Sequence, residues 1–126
     1  MKASTDARTV VIVEDDESAR DVFRTFLEYN GYRVLEASDG VEGFWLIREH
    51  VPDVVLLDLM LPGMDGKMVA AKLRLDARTA GVRIIIVTAS TDEATRRWAV
   101  HFGCDGFIEK PVDLRALKTA VDRCLQ

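Results

Sequence analysis

The chain has 126 residues, 48% hydrophobic and 30% charged, which suits one globular domain of ordinary size. A net charge of −4 with no block of Lys or Arg argues against nonspecific nucleic-acid binding. No apolar run reaches the length of a membrane span and the N-terminus lacks a signal-peptide core, while Cys104 and Cys124, far apart and without a His cluster, read as free thiols of a cytoplasmic protein.

Residues 1–8 form a polar lead-in that is expected to fray. Thr9–Val13 is a buried strand, followed directly by Glu14, Asp15 and Asp16. From Ser18 the period changes: Ala19, Val22, Phe23, Phe26 and Leu27 form one stripe of an amphipathic helix, which Gly31 closes. Arg33–Glu36 is only half apolar and suits an edge strand. Ser38-Asp39-Gly40 opens a second helix to about His50, with Val41, Phe44 and Trp45 expected to face inward, and Pro52 stops it. Asp53–Leu57 leads into an unbroken apolar strand, Asp58 stands at its carboxyl end, and Pro62-Gly63 demands a loop.

Asp65 is a plausible N-cap for a third helix to about Asp76, with Val69, Ala70 and Leu73 on its apolar side. Ile84–Val87 is a third fully apolar strand ending in Thr88. Asp92–Phe102 reads as a helix with Ala94, Trp98 and Phe102 along one side, terminated by Gly103. Gly106–Glu109 is a mixed fifth strand followed by Lys110-Pro111. Asp113 caps a last helix striped by Leu114, Leu117, Val121 and Cys124.

Strands alternating with helices imply an α/β fold, a parallel sheet covered on both faces. The three fully apolar strands belong in the centre and the two mixed ones at the edges. Of the doubly wound orders, 2-1-3-4-5 satisfies this, whereas 3-2-1-4-5 would bury the mixed second strand. The expected architecture is a five-stranded (βα)5 flavodoxin-like three-layer sandwich with its switch point between strands one and three.

Taken alone, Asp58 beside a Pro/Gly turn reads as a capping or solvated residue. The neighbouring strand ends change that. Glu14 and Asp15, Asp58, Thr88 and Lys110 all fall on one rim of such a sheet, where open α/β sheets bind ligands. Converging carboxylates repel by roughly 4 kcal/mol per pair at 4 Å and an effective dielectric near 20, so they call for a cation. All-oxygen ligands without His or Cys suit Mg2+ or a similar hard ion such as Mn2+. A carboxylate nucleophile, a metal, a Lys and a hydroxyl are the parts of a phosphoryl-transfer site.

In this order and at these spacings, Val13-Glu14-Asp15-Asp16, Asp58 with Leu61-Pro62-Gly63-Met64-Asp65-Gly66, Thr88-Ala89 and Lys110-Pro111 resemble the receiver domains of two-component response regulators, over essentially the whole chain. The resemblance implies that Asp58 accepts a phosphoryl group from a sensor histidine kinase or a histidine phosphotransfer protein. It implies that Asp15 ligates Mg2+ directly, Glu14 mainly through water, and Met60 through its backbone carbonyl. Lys110 would pair with Asp58 or its phosphoryl group, and the bond to Pro111 would be cis. Thr88 and Phe107 match the family's switch pair, acting on the face made by the fourth helix, fifth strand and fifth helix toward a downstream target or output domain. Phe107 stands where Tyr is common, so its two states would differ by packing alone; a purely structural Phe is the alternative. Ala89 should leave the site open to a donor, and Met60 and Ser90 imply slow self-dephosphorylation.

The resemblance is to a phosphoacceptor switch rather than a true enzyme. A haloacid-dehalogenase-like phosphatase would want a second acid where Met60 stands, and a flavin-binding domain would want phosphate-cradling loops where the acids follow the first strand. No output domain follows the last helix, so a stand-alone receiver and an excised domain both fit, as do a monomer and a phosphorylation-dependent homodimer. Arg96, Arg97, Asp105 and Arg115 could join an interface or simply be solvated.

Overall fold

A computed structural model describes residues 7–90 and 92–126, so most of the polar lead-in lies outside the described residues. In chain order the elements are β1 (Thr9–Val13), α1 (Glu17–Tyr29), β2 (Arg33–Ala37), α2 (Gly40–His50), β3 (Val54–Leu57), α3 (Gly66–Leu75), β4 (Arg83–Thr88), α4 (Glu93–His101), β5 (Gly106–Glu109) and α5 (Leu114–Cys124). The five strands form one parallel sheet in the order β2-β1-β3-β4-β5.

Composition accounts for that order. β1, β3 and β4 are buried along almost their whole length, whereas β2 has an exposed Arg33 and half-buried Val34, Leu35 and Glu36. Successive side chains point to opposite faces of a strand, so the sheet divides the core in two. Val11, Val13, Val55, Leu57, Ile84 and Ile86 pack with Phe44, Ile47, Val69, Leu73 and Ala99 from α2, α3 and α4. Val10, Ile12, Val54, Leu56, Ile85 and Ile108 pack with Phe23, Leu27, Leu117 and Val121 from α1 and α5. Each fully buried Val, Leu or Ile contributes roughly 1.5–3 kcal/mol, an upper estimate that chain entropy largely offsets.

Every helix begins on an aspartate: Asp16, Asp39, Asp65, Asp92 and Asp113 each accept a hydrogen bond from a first-turn N–H. At the other ends, Gly31 and Gly103 adopt positive φ as expected. α2 instead ends with Val51 in the left-handed region at φ 43°, because Pro52 bars continuation of the helix.

Three helix faces differ from the periodicity reading. Val41 and Trp45 do not face inward; they are 46% and 59% exposed, and α2 meets the sheet through Gly43, Phe44 and Ile47. A Cβ on Gly43 would stand 2.7 Å from Val13 Cγ1, so the missing side chain is what lets α2 lie against β1. Val22 is 50% exposed at the rim of the α1 stripe. In α4 the buried residues are Thr95 and Ala99, with Trp98 and Phe102 half-buried and Ala94 exposed.

One arginine fastens the far end of α4. Arg74 on α3 donates from Nε to the Phe102 carbonyl at 3.0 Å and from Nη2 to that of Gly103 at 2.9 Å. Its Nη1 reaches the carbonyls of Val82 at 2.7 Å and Ala80 at 3.2 Å. Among the described residues no helix is long and apolar enough to cross a membrane.

Candidate functional site

The sheet's hydrogen-bond ladder runs one residue beyond its strands. Glu14 N donates to the Ala37 carbonyl at 3.1 Å, Asp58 N to that of Val13 at 3.1 Å, and Lys110 N to that of Thr88 at 2.9 Å. Three side chains are thereby delivered to one rim by main-chain pairing. Carboxylate oxygens of Glu14, Asp15 and Asp58 lie within 4.8 Å of one another, with Glu14 and Asp58 buried and Asp15 exposed.

Lys110 Nζ bridges the buried pair, donating to Glu14 Oε1 at 2.7 Å and Asp58 Oδ2 at 2.8 Å. Each remaining oxygen has a main-chain partner: Met60 N donates to Asp58 Oδ1 at 3.0 Å and Asp16 N to Glu14 Oε2 at 3.1 Å. Burial pushes the Glu14 carboxyl up from its ordinary value, with the Asp58 charge adding and Lys110 opposing. Burial also pulls on Lys110 in the direction of its neutral form, but the hydrogen bonds and charges of Asp58 and Glu14 outweigh it, so its net shift is upward and it stays an ammonium.

Three carboxylates against one ammonium leave the rim with surplus negative charge. An all-oxygen cluster of this kind fits a hard divalent ion, which prefers carboxylate and carbonyl oxygens and keeps several waters. Asp15, exposed beside the two buried acids, gives that ion an approach from solvent.

The other expected residues lie on β4, on β5 and in the loops that follow β3, β4 and β5. Thr88 is buried and its hydroxyl oxygen accepts from Ser90 N at 3.2 Å. Ala89 is exposed, Met60 is 69% exposed, and the Lys110–Pro111 peptide bond is cis. Phe107 is half-buried, with the Arg96 guanidinium 4.6 Å from its ring centre.

Two further residues stand behind the cluster: Gly66, from the loop motif quoted above, and Arg20, which a sequence reading does not single out. Gly66 starts α3 directly against the loop after β3: a Cβ there would meet the Asp58 carbonyl oxygen at 2.2 Å. Arg20 hydrogen-bonds the backbone of Glu14 and Asp15. The only sequence signal for Arg20 was its spacing from Arg24, i to i+4 on one helix face, with Glu36 on the next strand to receive both.

Residues 10–122 match the family model of the response regulator receiver domain. The chain is 34% identical over 116 residues to the protein PilH of Pseudomonas aeruginosa PAO1, covering 92% of this chain and 96% of PilH. It is 35% identical to the transcriptional regulatory protein AfsQ1 of Streptomyces coelicolor, of which it spans only 51%. Among solved structures, a CheY-like receiver domain protein from Methanospirillum hungatei JF-1 superimposes with a TM-score of 0.89 at 28% identity, covering 94% of both chains.

A second solved structure, the receiver domain of the sensor histidine kinase PA1611 from P. aeruginosa PAO1, has a magnesium ion coordinated in its active-site cleft. It matches at 25% identity with a TM-score of 0.86, over 94% of this chain and 98% of that one. This chain therefore belongs to the response regulator receiver family, the phosphoacceptor switches of two-component signalling. Receiver domains of this family bind Mg2+ in an acidic pocket and work with histidine kinases and output domains.

Proposed function

We propose that Asp58 is the phosphoacceptor of this receiver, served by Lys110 and Thr88. The observation that carries the reading is the convergence of Glu14, Asp15 and Asp58 on Lys110 at the carboxyl rim of the sheet. Asp58 Oδ forms the new bond to phosphorus as the nitrogen–phosphorus bond of a donor phosphohistidine breaks, and the imidazole leaves with the electron pair. Lys110, already held against Asp58, keeps its positive charge where the phosphoryl oxygens gather. Thr88 uses its hydroxyl oxygen as an acceptor toward Ser90, so its proton is free to be donated to a phosphoryl oxygen. Asp15, Asp58, the Met60 carbonyl and, through water, Glu14 would hold Mg2+ or Mn2+, which supplies Lewis-acid neutralisation of phosphoryl charge.

On phosphorylation, Thr88 and Phe107 would rearrange together and alter the face of α4, β5 and α5 toward a downstream target or an output domain. The donor is a sensor histidine kinase or a histidine phosphotransfer protein, the setting is cytoplasmic, and the switch acts as a monomer or pairs on phosphorylation, with no direct nucleic-acid or membrane contact. Self-phosphorylation from small donors and slow self-dephosphorylation are the only reactions assigned to the chain itself. Intact mass after incubation with Mg2+ and acetyl phosphate tests the assignment. One phosphoryl group should be gained by the parent and lost in Asp58→Asn or on chelation; gain by Asp58→Asn would refute the acceptor.

A further inference from the structure

We propose that Arg20 is a positioning residue for the acidic loop, resting on the reading of Glu14, Asp15 and Asp58 as the metal-holding cluster. Arg20 lies early in α1, with its side chain only 17% exposed. Its Nη1 donates to the main-chain carbonyl of Glu14 at 2.9 Å and to that of Asp15 at 3.4 Å. Its Nε donates to Glu36 Oε1 on β2 at 3.3 Å, and the second Glu36 oxygen receives Arg24 Nη1 at 2.6 Å. One planar guanidinium thus ties the loop after β1 to both α1 and β2.

The two acids need this tie unequally. Glu14 is otherwise anchored through its own N–H to Ala37 and through its carboxylate to Lys110 and Asp16. Asp15 is exposed, and Arg20 is the side chain that holds its backbone. The direction of the Asp15 carboxylate follows its main chain, so the carbonyl contacts of Arg20 aim it. Groups that orient ligands from behind commonly govern metal affinity by 10–100-fold.

Charge alone argues the opposite way. A cation near a cation site weakens it, so deleting Arg20 would tighten metal binding if electrostatics were its whole effect. Glu36 neutralises much of that charge, which leaves positioning as the dominant role. The two accounts therefore differ in sign.

The test is calorimetric titration of the intact chain with Mg2+, without phosphoryl donor, beside melting curves in EDTA. Arg20→Met should weaken Mg2+ binding about tenfold or more. Arg20→Lys keeps the charge but replaces the planar fork, whose Nε serves Glu36 while Nη1 serves the carbonyls, with a single nitrogen, and should fall between parent and Arg20→Met. Arg24→Met removes the other partner of Glu36, spares the carbonyl bonds, and should leave affinity within about twofold. Should Arg20→Met not fold, Arg20→Lys against Arg24→Met makes the comparison.

Unchanged or tighter binding in the Arg20 variants overturns the inference, and so does an equal loss in Arg24→Met, which would reduce Arg20 to a general prop of β2. A parent that binds no Mg2+ refutes the metal reading itself, and the inference falls with it.

Discussion

Replacing Lys110 with Met removes the ammonium that bridges two buried carboxylates while keeping most of the aliphatic volume. Oxygens of Glu14 and Asp58 then face each other within 4.8 Å. At an effective dielectric near 20 their repulsion is about 3.5 kcal/mol. Protonating one carboxyl instead, from an ordinary value near 4.3, costs about 3.7 kcal/mol at pH 7. Both routes agree with the 3–5 kcal/mol typical of breaking a buried ion pair. With an unfolding entropy of about 2.1 cal/mol/K per residue, the metal-free variant should melt roughly 13–14 °C below the parent.

The assay is thermal unfolding by circular dichroism at pH 7 in EDTA, repeated in millimolar Mg2+. The ion stabilises the folded state in proportion to its affinity. Since Lys110 no longer competes for the carboxylates, Mg2+ should raise the melting temperature of the variant more than that of the parent. Adding Asp58→Asn to Lys110→Met removes the repulsion and should restore most of the loss. A variant in EDTA within 3 °C of the parent, or an equal response to Mg2+ in both, would refute the view that Lys110 holds an otherwise repulsive pair.

Met60→Asn places a side chain able to orient water beside Asp58 and should shorten the acyl-phosphate half-life, followed by loss of incorporated phosphoryl group; an unchanged decay counts against the slow-decay assignment, as does a parent half-life of seconds. Arg96→Ala removes the cation over Phe107, a contact worth about 0.5–1 kcal/mol, and should raise beryllofluoride affinity roughly two- to fivefold by freeing the ring; no change would mean that Arg96 does not hold it. Gly66→Ala drives a methyl into the Asp58 carbonyl and should lower the rate of phosphorylation by acetyl phosphate, so parental kinetics would show that the loop yields without moving Asp58. Burial pushes the Cys104 thiol up to about 11, with Asp105 adding and Arg74 opposing. Because the folded value lies above the unfolded one, its contribution to stability is complete below about 9 and is lost as pH rises through 11. In a Cys124→Ser background, iodoacetamide at pH 8 should modify folded protein about 100-fold more slowly than unfolded protein, and equal rates would contradict the shift.

The parts of the fold legible in the sequence were those set by burial along a strand. The uniform apolarity of Ile84–Val87 against the mixture in Arg33–Glu36 was enough to order the sheet, and the rim residues followed from that order. Helix faces were less legible. Trp45 and Val41 have the size and spacing of core residues, yet α2 meets the sheet through Gly43, which carries no hydrophobic signal. Arg20 was opaque for a related reason. A single Arg on the polar side of a helix reads as solvated, and only the folded loop brings the carbonyls of Glu14 and Asp15 within its reach. The acids could be found by residue type and position; what orients them could not.

The clamp made by Arg74 has a mechanical consequence. With the carbonyls of Phe102 and Gly103 tied to α3 and to the chain entering β4, α4 is an arm pivoted at its C-terminal end. Nine residues give that arm a length of about 13 Å. A swing of about 10° around the pivot would carry the Asp92 end through roughly 2 Å while His101 hardly moves. Displacement originating at Thr88 would therefore be largest at the Asp92 end and fade toward the Arg74 end, so a partner reading the N-terminal half of α4 would meet a changed surface where one gripping Gly103 would not.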